Sequence, residues 1–343
     1  MKPSEVITLL SATIPACLPV LLTGSPGTGK TSLVEQAAAA CDADVIVSHP
    51  VTADPTDAKG LPARISDTEA GFLPFGDLLR ASRATKPTVW LLDDIGQAAP
   101  SVQASFMNLI LARQSGGERI SDFVTFVAAT NRRADRAGVQ GILEPVKSRF
   151  VTIVEVKADM QEWCGWAMTS GKISPNMIAF IRMKPDLLSA FVATADMTNS
   201  PSPRTWANAA KVEALKLPRD VEHAAMSGSV GEGPATEYLA FRKLCSAMVS
   251  VDAILAAPKT APLPKNASER YAICTGLAAR ANEKTLARIG QYAVRLADSD
   301  MGEFAALTIR DSIRRVPSLA NLQDYVQLMC GPIGSLISGQ TIA

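Results

Sequence analysis

Apolar runs that end abruptly in polar residues mark the strands of this chain. LPVLLTGSPGTGKTSLVEQAAAA reads as a short buried strand, a glycine-rich turn and an alanine-rich helix. VWLLDDIGQ at 89–97 is a second run, wholly apolar until two aspartates, as suits a parallel strand covered on both faces. FVTFVAATNRRAD gives a third, ending in Thr130 and Asn131, and LEPVKSRFVTIVEV a fourth, preceded by Arg149. Between the second and third lies SVQASFMNLILARQ, where Val102, Phe106, Leu109 and Ile110 recur at helical spacing. KISPNMIAFIRMKPDLLSAF carries the same periodicity, broken by prolines at 175 and 185, and PSPRTWANAAKVEALK opens from a loop into a helix. AAPKTAPLPKN, 256–266, is proline-rich and reads as a linker; ERYAICTGLAARA, EKTLARIGQYAVRLA, EFAALTIRDSIRRV and NLQDYVQLMC beyond it read as helices.

The chemistry sits where the apolar runs stop. Gly24, Gly29, Lys30 and Thr31 satisfy GxxxxGK[ST] between a strand and a helix. Glycines let backbone N–H groups curl around a phosphate, and the helix N-terminus adds a favourable dipole. Gly24, Ser25, Pro26, Gly27, Thr28, Gly29, Lys30, Thr31 and Ser32 are therefore the expected nucleotide cradle. Lys30 is expected on the β/γ-phosphates and the Thr31 hydroxyl on Mg²⁺. Asp93 would help hold the metal and Asp94 would sit beside the attacking water; an acidic cap on the strand end is the plainer alternative. The Asn131 amide could orient that water, although asparagine also starts turns.

Composition narrows the field. The 343 residues suffice for two or three modest domains, and low aromatic content with many alanines suggests a largely helical body. Lysine plus arginine number 34 against 33 aspartates and glutamates, so the neutral balance weighs against a broad grip on nucleic acid. Arg310, Arg314 and Arg315 cluster on one expected helix and read as a solvated face rather than a nucleic-acid patch. Six scattered cysteines without a CxxC pair, and two histidines, argue against zinc and disulfide frameworks. Each cysteine reads as a small buried hydrophobe. No apolar run reaches the ~20 residues of a membrane span, and the reading is of a cytoplasmic chain. DMTNS at 196–200 has the spacing of a metal-dependent adhesion motif, but Pro201 and Pro203 follow it, so it reads as a loop.

GSPGTGKTS, WLLDDIGQA, AATNR, SRF and PSPRTW occur in the order seen in AAA+ ATPases. HPVTADPTDAKGLPA, GFLPFGDLL and AAMSGSVGEGPATEYLAF resemble segments of the MoxR-like branch. That resemblance covers residues 15–245 well and the remaining helices more loosely. It implies an α/β P-loop core with a parallel sheet sandwiched by helices over 1–157, an α-helical lid over 158–255 and a C-terminal helical extension over 256–343. It also implies ATP and Mg²⁺ as cofactors and a homo-oligomer, usually a ring of six. Residue by residue, Asp93 and Asp94 fall on Walker B, Asn131 on sensor 1, Arg204 on sensor 2, and Arg149 on the finger that serves the neighbouring protomer's nucleotide. Arg132, Arg133 and Arg136 are rival fingers. The family usually has Asp-Glu at Walker B; Asp94 withdraws its carboxylate by roughly 1.5 Å, so a slow ATPase is expected.

The resemblance points to a chaperone-like remodeller or activator of a protein partner, and suggests one with a von Willebrand factor A domain. The insertion around 60–76, with Phe72 and Phe75, would line or cap the pore, although both rings could equally belong to the core. A nucleic-acid motor or loader is the main alternative, and an ATP-dependent assembly scaffold with weak hydrolysis is a third.

Overall fold

The computed structural model describes residues 1–135, 141–193 and 197–338. The chain divides into an α/β unit, Met1–Asp159 with Phe191–Ala195, and a helical unit, Met160–Ala190 with Asp196–Ala343. The strands are β1 (Val20–Thr23), β2 (Asp44–Ser48), β3 (Leu61–Arg64), β4 (Ala70–Leu73), β5 (Thr88–Leu92), β6 (Gln114–Ser115), β7 (Glu118–Arg119), β8 (Val124–Thr130) and β9 (Thr152–Glu155). Among them run α1 (Pro3–Thr13), α2 (Lys30–Ala40), α3 (Pro55–Lys59), α4 (Gly76–Ser82), α5 (Pro100–Ala112) and α6 (Glu144–Lys147).

Five strands form one parallel sheet in the order β2-β5-β8-β1-β9. Alternation along each strand divides its apolar residues between two cores. Leu22, Leu91 and Val127 pack with Val6 and Leu10 of α1 and Leu33 and Val34 of α2. Leu21, Trp90 and Phe126 face the other way, against Leu78 of α4 and Phe106 and Leu109 of α5. Because both faces are covered, β5 and β8 are buried at every position, which is why their sequences are almost wholly apolar; Thr125, buried within β8, donates its hydroxyl to the Ile14 carbonyl. Trp90 stacks on Phe126 at 5.4 Å and meets Phe106 edge-on at 6.3 Å. Its indole N–H donates to Ser48 Oγ at 2.8 Å, and that hydroxyl donates to Asp77 at 2.6 Å, so the ring is buried without an orphaned donor. Truncating such a ring, as in Phe106→Ala, costs about 3–5 kcal/mol.

The segment expected as an insertion around 60–76 is an antiparallel hairpin, β3 with β4, running into the start of α4. Phe72 is exposed on it, and Phe75 is half-buried at the N-cap of α4. A second hairpin, β6 with β7, abuts the first: a Cβ at Gly116 would lie 2.8 Å from Phe72 Cβ on β4 and 2.1 Å from the Lys59 carbonyl of α3, and φ there is +58°. Only glycine fits that approach.

The helical unit contains α7 (Met160–Ser170), α8 (Pro175–Met183), α9 (Pro203–Ala214), α10 (Arg219–Val230), α11 (Glu232–Ser246), α12 (Val251–Ala256), α13 (Ala267–Ala279), α14 (Leu286–Ala297), α15 (Gly302–Arg315), α16 (Gln323–Met329) and α17 (Pro332–Ser338). Several begin as the sequence dictates, with Ser174, Ser202, Ser250 and Asn266 accepting backbone N–H bonds as N-caps. Phe180, Trp206, Tyr238 and Phe241 form one aromatic core.

The proline-rich stretch expected as a linker is packed down instead. Arg295 donates to the carbonyls of Pro258 and Ala261, and Tyr292 to that of Pro262, so prolines that cannot enter a helix are fastened to α14 by side chains. The arginines of α15 diverge: Arg314 lies over Gly165, Arg315 donates to Ala281, and Arg310 is exposed. Met197–Ser200 form no regular element, and Asp196 lies outside the described residues. Cys164 and Cys274 are buried as expected; Cys330 is exposed, because α16 buries none of its residues and the chain leaves it there. No helix among the described residues is long and apolar enough to cross a membrane.

Candidate nucleotide-binding site

Parallel strands deliver their C-terminal ends to one edge of a sheet, where open α/β folds hold ligands. Three neighbouring strands do so here: β1 ends in the glycine loop, β5 in Asp93 and Asp94, and β8 in Asn131. Gly29 caps α2 with φ +91°, a left-handed conformation open to glycine, which turns the loop directly into the helix. Gly24 is required by proximity, since a Cβ there would lie 2.6 Å from the Val156 carbonyl.

Lys30, the first residue of α2, is buried, and its ammonium donates to the Gly24 carbonyl (2.9 Å), the Ser25 carbonyl (3.1 Å) and Asn131 Oδ1 (2.9 Å). Thr28 is buried and donates to the Ser25 carbonyl at 3.0 Å, bracing the turn. Gly27 is buried, Ser25 and Pro26 are half-buried, and Ser32 faces solvent on α2. Beside Lys30, the Thr31 hydroxyl donates to Asp93 Oδ2 at 2.8 Å. A hydroxyl beside a carboxylate is a hard-oxygen donor pair of the kind Mg²⁺ takes, so these two residues fit the metal.

Asp94 sits in the left-handed region at φ +58°. A non-glycine residue held there costs about 1–2 kcal/mol, and such strain concentrates at functional sites. The turn brings Asp94 Oδ1 within 3.3 Å of Asn131 Nδ2, which donates to it. Asn131 thus links Lys30 to Asp94 through opposite ends of one amide.

Arg132 follows, and its contacts are ones that sequence reasoning missed. Its guanidinium donates to Asp135 through Nε (3.0 Å) and Nη2 (2.8 Å), to Glu155 through Nη1 (2.9 Å) and to the Ser25 hydroxyl. Asp135, buried, raises the arginine's pKa most; partial burial opposes this, and Glu155 adds to the rise. The Arg-x-x-Asp spacing was a weak local clue. Arg133 is exposed at the edge of a cavity of about 500 Å³ lined also by Pro100, Gln103, Asn131 and Lys147, and Arg136 lies outside the described residues.

Arg149 stands elsewhere. It lies in the turn between α6 and β9, and the Val151 N–H that follows bonds to the Pro19 carbonyl at 2.9 Å. Because β9 runs parallel to β1, with Thr152 opposite Val20 and Glu155 opposite Thr23, Arg149 is at the end of the sheet remote from its own glycine loop, roughly 10 Å of strand away. Its Nη1 donates to Ser148 at 3.3 Å, while its Nε is buried without a hydrogen-bond partner among the described residues. Arg204 is exposed at the second position of α9, behind a Ser202–Thr205 capping box.

Residues 19–150 match the family model described as AAA domain (dynein-related subfamily). No curated protein matches the chain. Among solved structures it is similar to a point mutant of RuvB from Thermotoga maritima, with 17% identity over 74% of this chain and 80% of that one and a TM-score of 0.42. It is also similar to NtrX from Brucella abortus in complex with ATP, with 13% identity over 94% of this chain and 64% of that one and a TM-score of 0.42.

Proposed function

We propose that this chain is a cytoplasmic, Mg²⁺-dependent ATPase that works as a homo-oligomeric ring, six-membered as in the MoxR-like branch, and remodels or activates a protein partner. The observation that carries the reading is the convergence of Lys30, Asn131 and Asp94 in one hydrogen-bonded series beside the Thr31–Asp93 pair. Lys30 would hold the β/γ-phosphates, exchanging loop carbonyls for phosphate oxygens. Mg²⁺, held near Thr31 and Asp93, would neutralise charge on the phosphates. Asn131 orients a water whose oxygen attacks the γ-phosphorus while the bond to the β-phosphate oxygen breaks; Asp94 takes the proton, leaving ADP and phosphate.

Arg149 supports the ring. Its place on the far side of the sheet keeps it from its own cradle, and β9 is an edge strand with Val151 and Ile153 exposed beside it. A second protomer covering that edge would bury both side chains and bring its cradle to the arginine, whose charge would stabilise the transition state. Arg204 would act as sensor 2 from the helical lid at 158–255, with 256–343 as its extension. The MoxR-like segments support a protein client, a von Willebrand factor A domain being the first to try, and Phe72 on its exposed hairpin is a candidate contact.

Mass and phosphate release measured together, with and without ATP and Mg²⁺, test the reading. ATP should drive oligomerisation, and Arg149→Ala should assemble yet hydrolyse at least ~10²-fold more slowly. A fully active monomer at saturating ATP would overturn the ring, and full activity of Arg149→Ala would move the finger to another arginine.

A further inference from the structure

The Arg132 guanidinium spans the tips of three adjacent strands. Asn131 and Arg132 leave β8, Ser25 leaves β1, and Glu155 ends β9, in a sheet where β1 lies between the other two. Asp135 fixes the fork side-on through two bonds, Glu155 holds the opposite amino group, and the remaining donor reaches the Ser25 hydroxyl. Two carboxylates thus aim one planar cation at the first turn of the glycine loop. A planar fork with fixed donors can do this; a lysine ammonium, a single point charge, cannot hold all three partners in one plane.

The loop also meets the sensor strand where Lys30 bridges the Gly24 and Ser25 carbonyls to Asn131. Lys30 is the group a phosphate would draw away. Arg132 makes a connection that does not depend on it. We infer that Arg132 is a positioning residue for nucleotide binding: through Ser25 it holds the first turn of the phosphate loop in register with Asn131, so that the cradle is set before the phosphates enter. A preset cradle lowers the ordering cost of binding, so the effect belongs in affinity.

This inference rests on the ATP-binding reading above, and a double-mutant cycle separates the two. Dissociation constants for ATP with Mg²⁺ are measured by titration calorimetry on the full chain and on Ser25→Ala, Arg132→Ala and the double variant. Each single change should weaken binding about tenfold, the scale of one charge-assisted hydrogen bond, and the double variant should be about tenfold weaker rather than a hundredfold. In Arg132→Ala, kcat at saturating ATP should fall less than about threefold. If Arg132→Ala does not fold, Arg132→Lys takes its place in the cycle under the same criterion. Additive losses, or a loss carried by kcat with the dissociation constant unchanged, would overturn the positioning role while leaving the ATPase reading intact. Failure of the unmutated chain to bind ATP would overturn the reading itself.

Discussion

Two arginines, one in each unit, are held by carboxylates, and they do opposite things with the same chemistry. In the helical unit Arg182 of α8 meets Asp311 of α15 at 2.5 Å, with both side chains only 2% exposed, and donates to Thr275 of α13 at 3.2 Å. The pair is shut away from solvent and fastens three helices together. Arg132 in the α/β unit has two carboxylates where Arg182 has one, but its side chain is 41% exposed and its last donor reaches the loop that would hold phosphates. A sealed ion pair is spent on the elements it joins, whereas an ion pair at the edge of a cradle shapes what can bind next. Charge in a fold therefore indicates a site only when it converges on space that a ligand can reach.

The sharpest way to break that contrast lies at Asp94. Asp94→Asn removes a proton acceptor while keeping a side chain of the same shape beside Asn131. Turnover should fall by about 10²–10⁴-fold with ATP affinity within about threefold of the unmutated chain; phosphate release and calorimetry on one preparation check it. Unchanged turnover would place the base elsewhere. Asp94→Glu sharpens the same point: if the longer side chain raises the rate strongly, the native site is tuned for holding ATP.

Asp311→Ala tests the sealed side. Leaving Arg182 charged and unpaired in the core should destabilise the helical unit by about 3–5 kcal/mol, read from the urea midpoint of its far-UV dichroism. Replacing both partners together, Arg182→Met with Asp311→Leu, should recover most of that loss. If Asp311→Ala is harmless, the pair is no fastener and the contrast with Arg132 collapses.

The cradle was legible because its parts are local: glycines, lysine and threonine lie within eight residues, and the chemistry needs them in that order. The strands carrying Asp93 and Asn131 were legible because a strand covered on both faces must be largely apolar along its whole length. The Arg132 network was hidden for the converse reason. Glu155 and Ser25 reach it only because β9 and β8 flank β1, and strand order is not written in any one segment. Arg182 and Asp311 were hidden in the same way, each an ordinary polar residue in a helical run. The proline-rich stretch 256–266 misled because proline reports only what a backbone cannot do; its anchors, Tyr292 and Arg295, lie a helix further on.

The cysteines extend the comparison of sealed and open positions. Burial pushes the Cys164 and Cys274 thiols up to about 12, while Cys330 is exposed. The thiolate is the reactive species, so iodoacetamide at pH 8 should label Cys330 at least about a hundredfold faster than either buried thiol, followed by peptide mass spectrometry. Equal rates at Cys164 would mean that the core around Arg182 opens readily.

The smallest effect should come from a third arginine, intermediate between the two. Arg242 of α11 forks onto Glu222 of α10, Nη1 to Oε1 at 2.7 Å and Nη2 to Oε2 at 2.5 Å, with Glu213 of α9 on its flank at 3.3 Å. Hydrogen bonding to Arg242 lowers the Glu222 pKa below its ordinary 4.5, burial opposing in part. A carboxylate with a lowered folded-state pKa stabilises above its unfolded value, and that contribution is lost as the pH falls through the folded value. The unmutated chain should therefore exceed Glu222→Gln in urea midpoint at pH 7, and the difference should shrink as the pH falls below 4.5. Other carboxylates titrate in the same range in both proteins, so only the difference between the two curves reports on Glu222. If that difference holds constant through acid, the fork binds neutral and charged forms alike, and Arg242 is a packing element like any uncharged side chain.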